Sequence, residues 1–523
     1  MSSDTSTTAF NYKKEASFGL LPAAAAFAAM RFTGESLAHQ KATVQSNEIR
    51  ADRQVSDLVM VGASAGGGFN FELSLQEYRD LIASTMGQPG FTASSFTGEA
   101  EITAASNTMQ FGDEPPTEFI TSGYVKVSGC SNPANNGIKR LISVTGNSIW
   151  TFAPGSFLTD QTPFNCVITR LICVNGVAMS SYTFERGVLS DNGYVYQNYS
   201  GMTPSGMNLR IASMEIVTGG FNFLGKVGSL ATRSLSRAGE IAATGTLTFT
   251  AQPAEGHTCT IGVGTGVKQF IFTALAVPSY SGGSVSVKIG ASASASIDNL
   301  IDAINGGDGG DGSIYSAGYT GHTQITAAAG AGDTMVATAK LEDQSGAFGN
   351  TIATTENSAN MAWGAALLTG GVNANPVLHA TTDPVVNGTN NVVNISSGNG
   401  TLSDPAKSIA LAINNNLRSK DKIGHLGAFE IGQGQFVATG TLEVYFENND
   451  LYRKIVNHED VSLAFLIQDE NGNAMGVTFP RVKLADGTPA TGANNNDVMM
   501  SVNFTAIQDP ATGVTMIVDL FDA

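Results

Sequence analysis

The residues at 67–75 alternate without a break: Phe69, Phe71, Leu73 and Leu75 in one set, Asn70, Glu72 and Ser74 in the other. A period of two places each set on its own face of a β-strand, one buried and one wet. The pattern returns far along the chain at 434–446. There Phe436, Ala438, Leu442, Val444 and Phe446 oppose Gln435, Thr439, Thr441, Glu443 and Tyr445. A chain organised this way needs a sheet with a dry side and a wet side. Asn70, Glu72, Thr441 and Glu443 are its candidate wet-face residues.

Helical spacing is scarce by contrast. Ser74-Leu-Gln-Glu77 reads as a capping box, followed by Tyr78, Leu81, Ile82 and Thr85 at helical intervals and ended by Gly87 and Pro89. A second short helix is expected at 296–305, with Ser296 as its N-cap, Ile297, Leu300, Ile301 and Ile304 on one face, and Gly306 and Gly307 as its stop. Sixty glycines and a charged fraction of only 14% support a mainly β chain rich in turns. Its 523 residues exceed one ordinary domain, and 42% hydrophobic residues suffice for packed cores rather than disorder.

The balance of chemistry points away from catalysis. Formal net charge is −17 and no Lys/Arg cluster interrupts it, which excludes a basic nucleic-acid groove. Cys130, Cys166, Cys173 and Cys259 form no C-x-x-C and no zinc spacing; on one strand, Cys166 and Cys173 would face opposite ways. Four scattered thiols fit a reducing compartment. The six histidines form no H-E-x-x-H, and no serine sits in G-x-S-x-G. The glycine-rich runs at 62–68 and 262–268 match neither a P-loop nor a dinucleotide fingerprint and are expected to be hairpin loops. Gly-Gly-Asp-Gly-Gly-Asp-Gly-Ser at 306–313 has one copy where a calcium β-roll needs several, and reads as a turn. No cofactor, no metal and no enzymatic activity are therefore expected. The apolar stretch at 18–30 follows Lys13 and Lys14 like a secretory signal, but Glu15 and Pro22 interrupt it, and it is too short to span a bilayer.

Two separated segments, 16–86 and 408–523, read as two ends of one β-rich domain. They carry S-F-G-L-L-P (17–22), R-F-T-G-E-S-L (31–37), S-N-E-I-R-A-D-R (46–53), the alternating strand at 67–75, N-N-N-L-R (414–418), the strand at 431–446 and F-P-R-V-K-L (479–484). These segments resemble the major tail tube proteins of long-tailed, siphovirus-like bacteriophages. The resemblance implies a β-sandwich or barrel core with one flanking helix, and subunits that close into six-membered rings. It further implies a homohexamer whose inner strands join into one barrel and whose rings stack helically into a tube. Genomic DNA would pass through that tube during ejection without sequence-specific binding. The implied partners are the chain itself and the tail terminator, tape measure and baseplate proteins, with no membrane. The implied place is the virion tail, assembled in the host bacterial cytoplasm. The rivals are a sheath or decoration protein, or a secreted β-rich adhesin.

Within that frame the expected organisation is a tube domain at 1–238 with a small β-module at 91–163, an inserted β-rich domain at 239–375, and the second part of the tube domain at 376–523. The insert is marked by its shift to Gly, Ala, Ser and Thr, and by S-G-A-F-G-N-T-I-A-T-T-E at 345–356, which resembles a small domain recurring in phage structural proteins. Gly-Gly-Phe-Asn-Phe at 67–71 recurs at 219–223, a sign either of internal duplication or of similar packing.

Overall fold

The computed structural model describes residues 5–22, 26–113, 115, 119, 122–146, 148–190, 193–231, 233–276, 280, 282–307, 312–340, 349–372, 377–398 and 400–523. Parts of the 306–313 and 345–356 motifs lie outside the described residues. The chain separates into two compact units. One comprises residues 1–22, 28–233 and 378–523, the other 23–27 and 234–377.

The larger unit is mainly β. Its strands run β1 (Ala9–Lys14), β2 (Gly34–Glu35), β3 (Ala38–Gln45) and β4 (Leu58–Glu72), followed by helix α1 (Arg79–Thr85). Then come β5 (Thr92–Thr103), β6 (Thr108–Phe111), β7 (Gly123–Ser128), β8 (Gly137–Thr145), β9 (Ile149–Phe152) and β10 (Gln161–Val174). The next leg is β11 (Tyr182–Ser190), β12 (Gly193–Ala212), β13 (Thr218–Gly225) and β14 (Val227–Ala231). After the second unit, which contains α2 (Ala293–Asn305), the chain returns as β15 (Val392–Ser397), β16 (Ala406–Asn414), β17 (Val437–Tyr445) and α3 (Asp450–Val456). It closes with β18 (Asp460–Gln468), β19 (Ala474–Asp486), β20 (Pro489–Ala490), β21 (Met499–Ala506) and β22 (Ile517–Phe521).

The pairing reveals a duplication. In the first half the antiparallel ladder runs β1–β11–β12–β13–β4–β3. In the second it runs β15–β18–β19–β21–β17–β16. The side pair β12–β14 has its counterpart in β19–β22. Two of the β-bulges in these ladders recur at matching positions: Pro204/Gly206 answers Leu484/Asp486, and Tyr199/Met202 answers Phe479/Val482, with the same offset throughout. A bulge is a local irregularity specific to its place in a fold, so two shared bulges are strong marks of a repeat. α1 follows β4 as α3 follows β17, so a second flanking helix joins the one expected from the sequence. The halves are joined by β12 against β16, over Gly206–Ala212 and Ser408–Asn414.

The repeated Gly-Gly-Phe-Asn-Phe is not the duplication. Its copies lie in one half and pair with each other, Phe69 opposite Phe221 and Phe71 opposite Gly219. A Cβ on Gly219 would stand 2.5 Å from the Phe71 ring, so glycine is what lets that ring lie flat across the strand. The run at 62–68, expected as a loop, is strand. Gly67 (φ +116°) takes the kink where β2 gives way to β3, with the Ser36 carbonyl too close for any side chain.

Two cap assignments are corrected. α1 begins after Tyr78, and Glu77 instead accepts from Arg31, Thr381 and the Thr381 hydroxyl, holding chain segments rather than capping a helix. α2 starts earlier than expected, with Ser292 as N-cap; Ser296 is a buried residue of its first turns and bonds back to Ser292. Of the apolar stretch at 18–30, Ala28–Ala29 pairs with β1 and Met30 is buried in the main core, while residues 23–25 lie outside the described residues.

Between α1 and β11 the first half carries extra chain. β5, β10, β7, β8, β9 and β6 pair in a closed circuit, a six-stranded barrel. It encloses its own core around Phe111, Trp150 and Phe152. Its last strand, β10, runs on past residue 163 to pair with β22. Cys166 on β10 points into the barrel core and Cys173 into the main core, the opposite facing their spacing requires. All four cysteines are free and buried. The second unit packs two four-stranded sheets and α2 around Phe249, Phe270, Phe272 and Leu300.

Candidate channel face

Directly opposed residues in an antiparallel ladder point to the same side of the sheet. One row can be followed across seven strands of the duplicated sheet: Glu72, Thr218, Arg210, Ala410, Thr441, Asn503, Asp486. The next row is Asn70, Gly220, Asn208, Ala412, Thr439, Thr505, Lys483. All four candidate residues, read from two strands far apart in sequence, therefore share one face. The opposite face carries Phe69, Phe71, Leu209, Leu411, Leu442 and Phe504, all buried in the main core. α1 and α3 each turn residues into that core, Leu81 and Ile82 from one and Leu451 from the other.

The polar face is bonded laterally. The Thr441 hydroxyl donates to Asn503 Oδ1 at 2.7 Å, and the Ser408 hydroxyl donates to Glu443 Oε2 at 3.2 Å. Its cations have carboxylate partners: Lys407 Nζ lies 3.7 Å from Glu443, Lys483 Nζ lies 2.6 Å from Asp460, and Arg210 pairs with Glu215. Such exposed pairs contribute little to stability, but they cancel positive charge locally. The face is thus mixed in charge, with Glu72 and Glu443 beside Asn70 and Thr441 and with its cations paired.

The sequence reading missed Asn208, Arg210, Asn503 and Thr505. The signal was available. Met207, Leu209 and Ile211 alternate with Asn208 and Arg210, and Met500, Val502 and Phe504 alternate with Ser501, Asn503 and Thr505.

Elsewhere one buried ion pair stands out. Arg170 Nε donates to Asp519 Oδ1 at 2.6 Å, and the Tyr124 amide donates to Asp519 Oδ2 at 2.8 Å. Burial pushes the Asp519 carboxyl up, against the pull of Arg170. The pair ties β10 and β7 to β22, a structural fastening rather than a reactive site. Among the described residues no three His, Cys, Asp or Glu side chains are grouped to hold a metal ion. No helix among them is long and apolar enough to cross a membrane.

A family model described as phage tail tube protein matches residues 5–300 and again residues 277–506. The chain belongs to the phage tail tube family. The first match contains the first half, and the second contains the ladder of the second half, β15 to β21, stopping short of β22. No curated protein matches the chain. Membership makes this tail tube protein a structural component of the virion tail that assembles with itself and with other tail proteins.

Proposed function

We propose that this tail tube protein polymerises into stacked rings with six tube-domain positions, and that its polar sheet face lines the channel. The observation that carries this reading is the pair of polar rows crossing the sheet from Glu72 to Asp486, backed by a continuous apolar core. A sheet with one dry and one wet face, closed into a ring, removes exposed strand edges and turns the wet face towards water-filled space. On that face the cations are matched by carboxylates, so phosphates meet no free positive charge and counterion release cannot hold DNA there. DNA in transit during ejection would slide rather than bind, with no sequence preference. The reading assigns no catalytic step to any residue.

A second feature supports self-assembly. The β3–β4 hairpin projects beyond the sheet, and Val44, Leu58, Val59, Met60 and Val61 are all exposed on it. An apolar arm of this size calls for a covering surface, which stacking rings of the same chain supply. The tail terminator, tape measure and baseplate proteins of a long-tailed phage are the further partners proposed, with assembly in the host bacterial cytoplasm. The unit at 234–377 is proposed to decorate the outside. Electron microscopy of the purified protein tests the reading. Tubes of constant diameter with Asn70, Glu72, Thr441 and Glu443 towards the axis are expected; tubes with this face outward would overturn it.

A further inference from the structure

The internal joint between the halves is a template for the joint between chains. β12 of the first half presents Gly206–Ala212 to β16 of the second. The counterpart of that β12 segment in the second half is 486–492, which pairs with β21 on one side only. The counterpart of β16 in the first half is 34–40, which pairs with β4 on one side only. Among the described residues no strand pairs with the outer side of either. The chain thus carries one joint made and the two halves of the same joint unmade. We infer that the 486–492 edge of one chain pairs antiparallel with the 34–40 edge of the next. Each chain then occupies two ring positions, and a ring contains half as many chains as tube domains. This rests on the tube reading above; with six positions, three chains close the ring.

The register follows from the internal joint. Gly206 faces Asn414 and Asn208 faces Ala412. Carried over, Asp486 faces Gln40, Thr488 faces Ala38 and Ala490 faces Ser36. The hydrogen-bond phase is also fixed. The Asn415 amide donates to the Ser205 carbonyl at 2.8 Å and the Ser213 amide to the Lys407 carbonyl at 3.0 Å, so Met207, Leu209 and Ile211 turn their backbone groups to β16. Their counterparts Gly487, Pro489 and Thr491 point outward, as do Glu35, Leu37 and His39 across from them. The Leu37 amide does lack a strand partner in the single chain and is held by the Glu35 carboxylate at 2.8 Å. Pro489 has no amide hydrogen, so the joint between chains is one hydrogen bond short of the joint within a chain. That is a familiar way to keep an edge from pairing indiscriminately. A head-to-tail contact of this kind is heterologous and yields a ring when its rotation closes.

The test is a cysteine pair. Ala38 and Thr488 fall at a non-hydrogen-bonded position, where Cα atoms stand about 4.5 Å apart, within disulfide reach. The native cysteines are all buried and stay out of the reaction. Tubes of the Ala38→Cys/Thr488→Cys variant, oxidised after assembly, should yield a covalent ladder ending at three chains. The Ser36→Cys/Thr488→Cys variant, shifted in register on the same face, should lose that ladder. A ladder reaching six chains overturns the two-position assignment, and linkage by the shifted pair alone overturns the register. Reconstruction of wild-type tubes decides the same points if the variants do not assemble. Wild-type tubes joined at other strands sink this inference and leave the tube reading standing, whereas a wild-type protein that forms no tubes sinks both.

Discussion

The two halves of the tube unit keep the same ladder and differ in their connections. After α1 the first half inserts a whole six-stranded barrel before β11; after α3 the second half uses only residues 457–459 before β18. The core residues have also drifted, Phe69 and Phe71 on β4 answering Leu442 and Val444 on β17. Yet the pairing order and two bulges at matching positions persist. What a duplicated sheet preserves is its hydrogen-bond framework, because a register slip would turn every side chain to the wrong face. Loops are freer to grow, since each doubling of loop length costs only about 0.6 kcal/mol.

The sharpest way to break the comparison is at the fastening that only the enlarged half needs. Asp519→Ala leaves Arg170 charged and buried without its partner and should cost about 3–5 kcal/mol in chemical denaturation. Restoring neutrality with Arg170→Met in the same chain should recover part of that loss. An unchanged midpoint for Asp519→Ala would mean that the barrel is held by packing alone.

Equivalent core positions should then respond unequally. Phe71→Ala empties a site packed against Tyr78 and Phe221, with an expected cost of about 3–5 kcal/mol. Val444→Ala, its counterpart, removes two carbons, or about 1.6 kcal/mol at ~0.8 per buried methylene. Equal losses would show that the halves unfold as one and that local packing does not distinguish them.

On the wet face the halves should behave alike, with little effect on the folded chain. Glu72→Lys together with Glu443→Lys should leave thermal unfolding within about 0.5 kcal/mol of wild type. In assembled particles the same change should slow DNA ejection in a salt-sensitive way, because the added cations release counterions from DNA. Ejection at the wild-type rate at low salt would remove these residues from the channel.

The smallest expected effect separates the second unit from the tube unit. His322 is buried; its Nδ1 accepts from the Gln324 amide at 3.0 Å and its Nε2 lies 3.1 Å from the Ile261 carbonyl, which holds the ring neutral. Burial depresses its pKa from the ordinary 6.5. Below that pH the unfolded chain takes up a proton that the folded chain resists, so stability is full above about 6.5 and declines as pH falls towards the depressed folded value. With Trp150→Phe leaving Trp363 as the only tryptophan, fluorescence unfolding should show this decline for the 234–377 unit. His322→Gln should flatten it, and a slope that survives the substitution would assign the dependence elsewhere.

Alternation determined much of this without coordinates. The strand stretches up to Glu72 and over Val437–Tyr445, their residues Asn70, Glu72, Thr441 and Glu443 on one face, and the opposite facing of Cys166 and Cys173 follow from a period of two, a local property of the backbone; the alternation read on through 73–75 does not hold, because the strand ends at Glu72 and Ser74 is buried. The glycine run at 62–68 misled because glycine signals either a turn or a close approach, and only the Ser36 carbonyl beside Gly67 tells which. Ser74 and Ser296 misled because a capping motif competes with the tertiary packing that buries both residues. The duplication was out of reach for a deeper reason. The halves share little wording, and what they share, a ladder order and two bulges, exists only between strands distant in sequence. Residue identity sets which face of a strand is wet; which strands lie side by side is settled by the packing of the whole sheet.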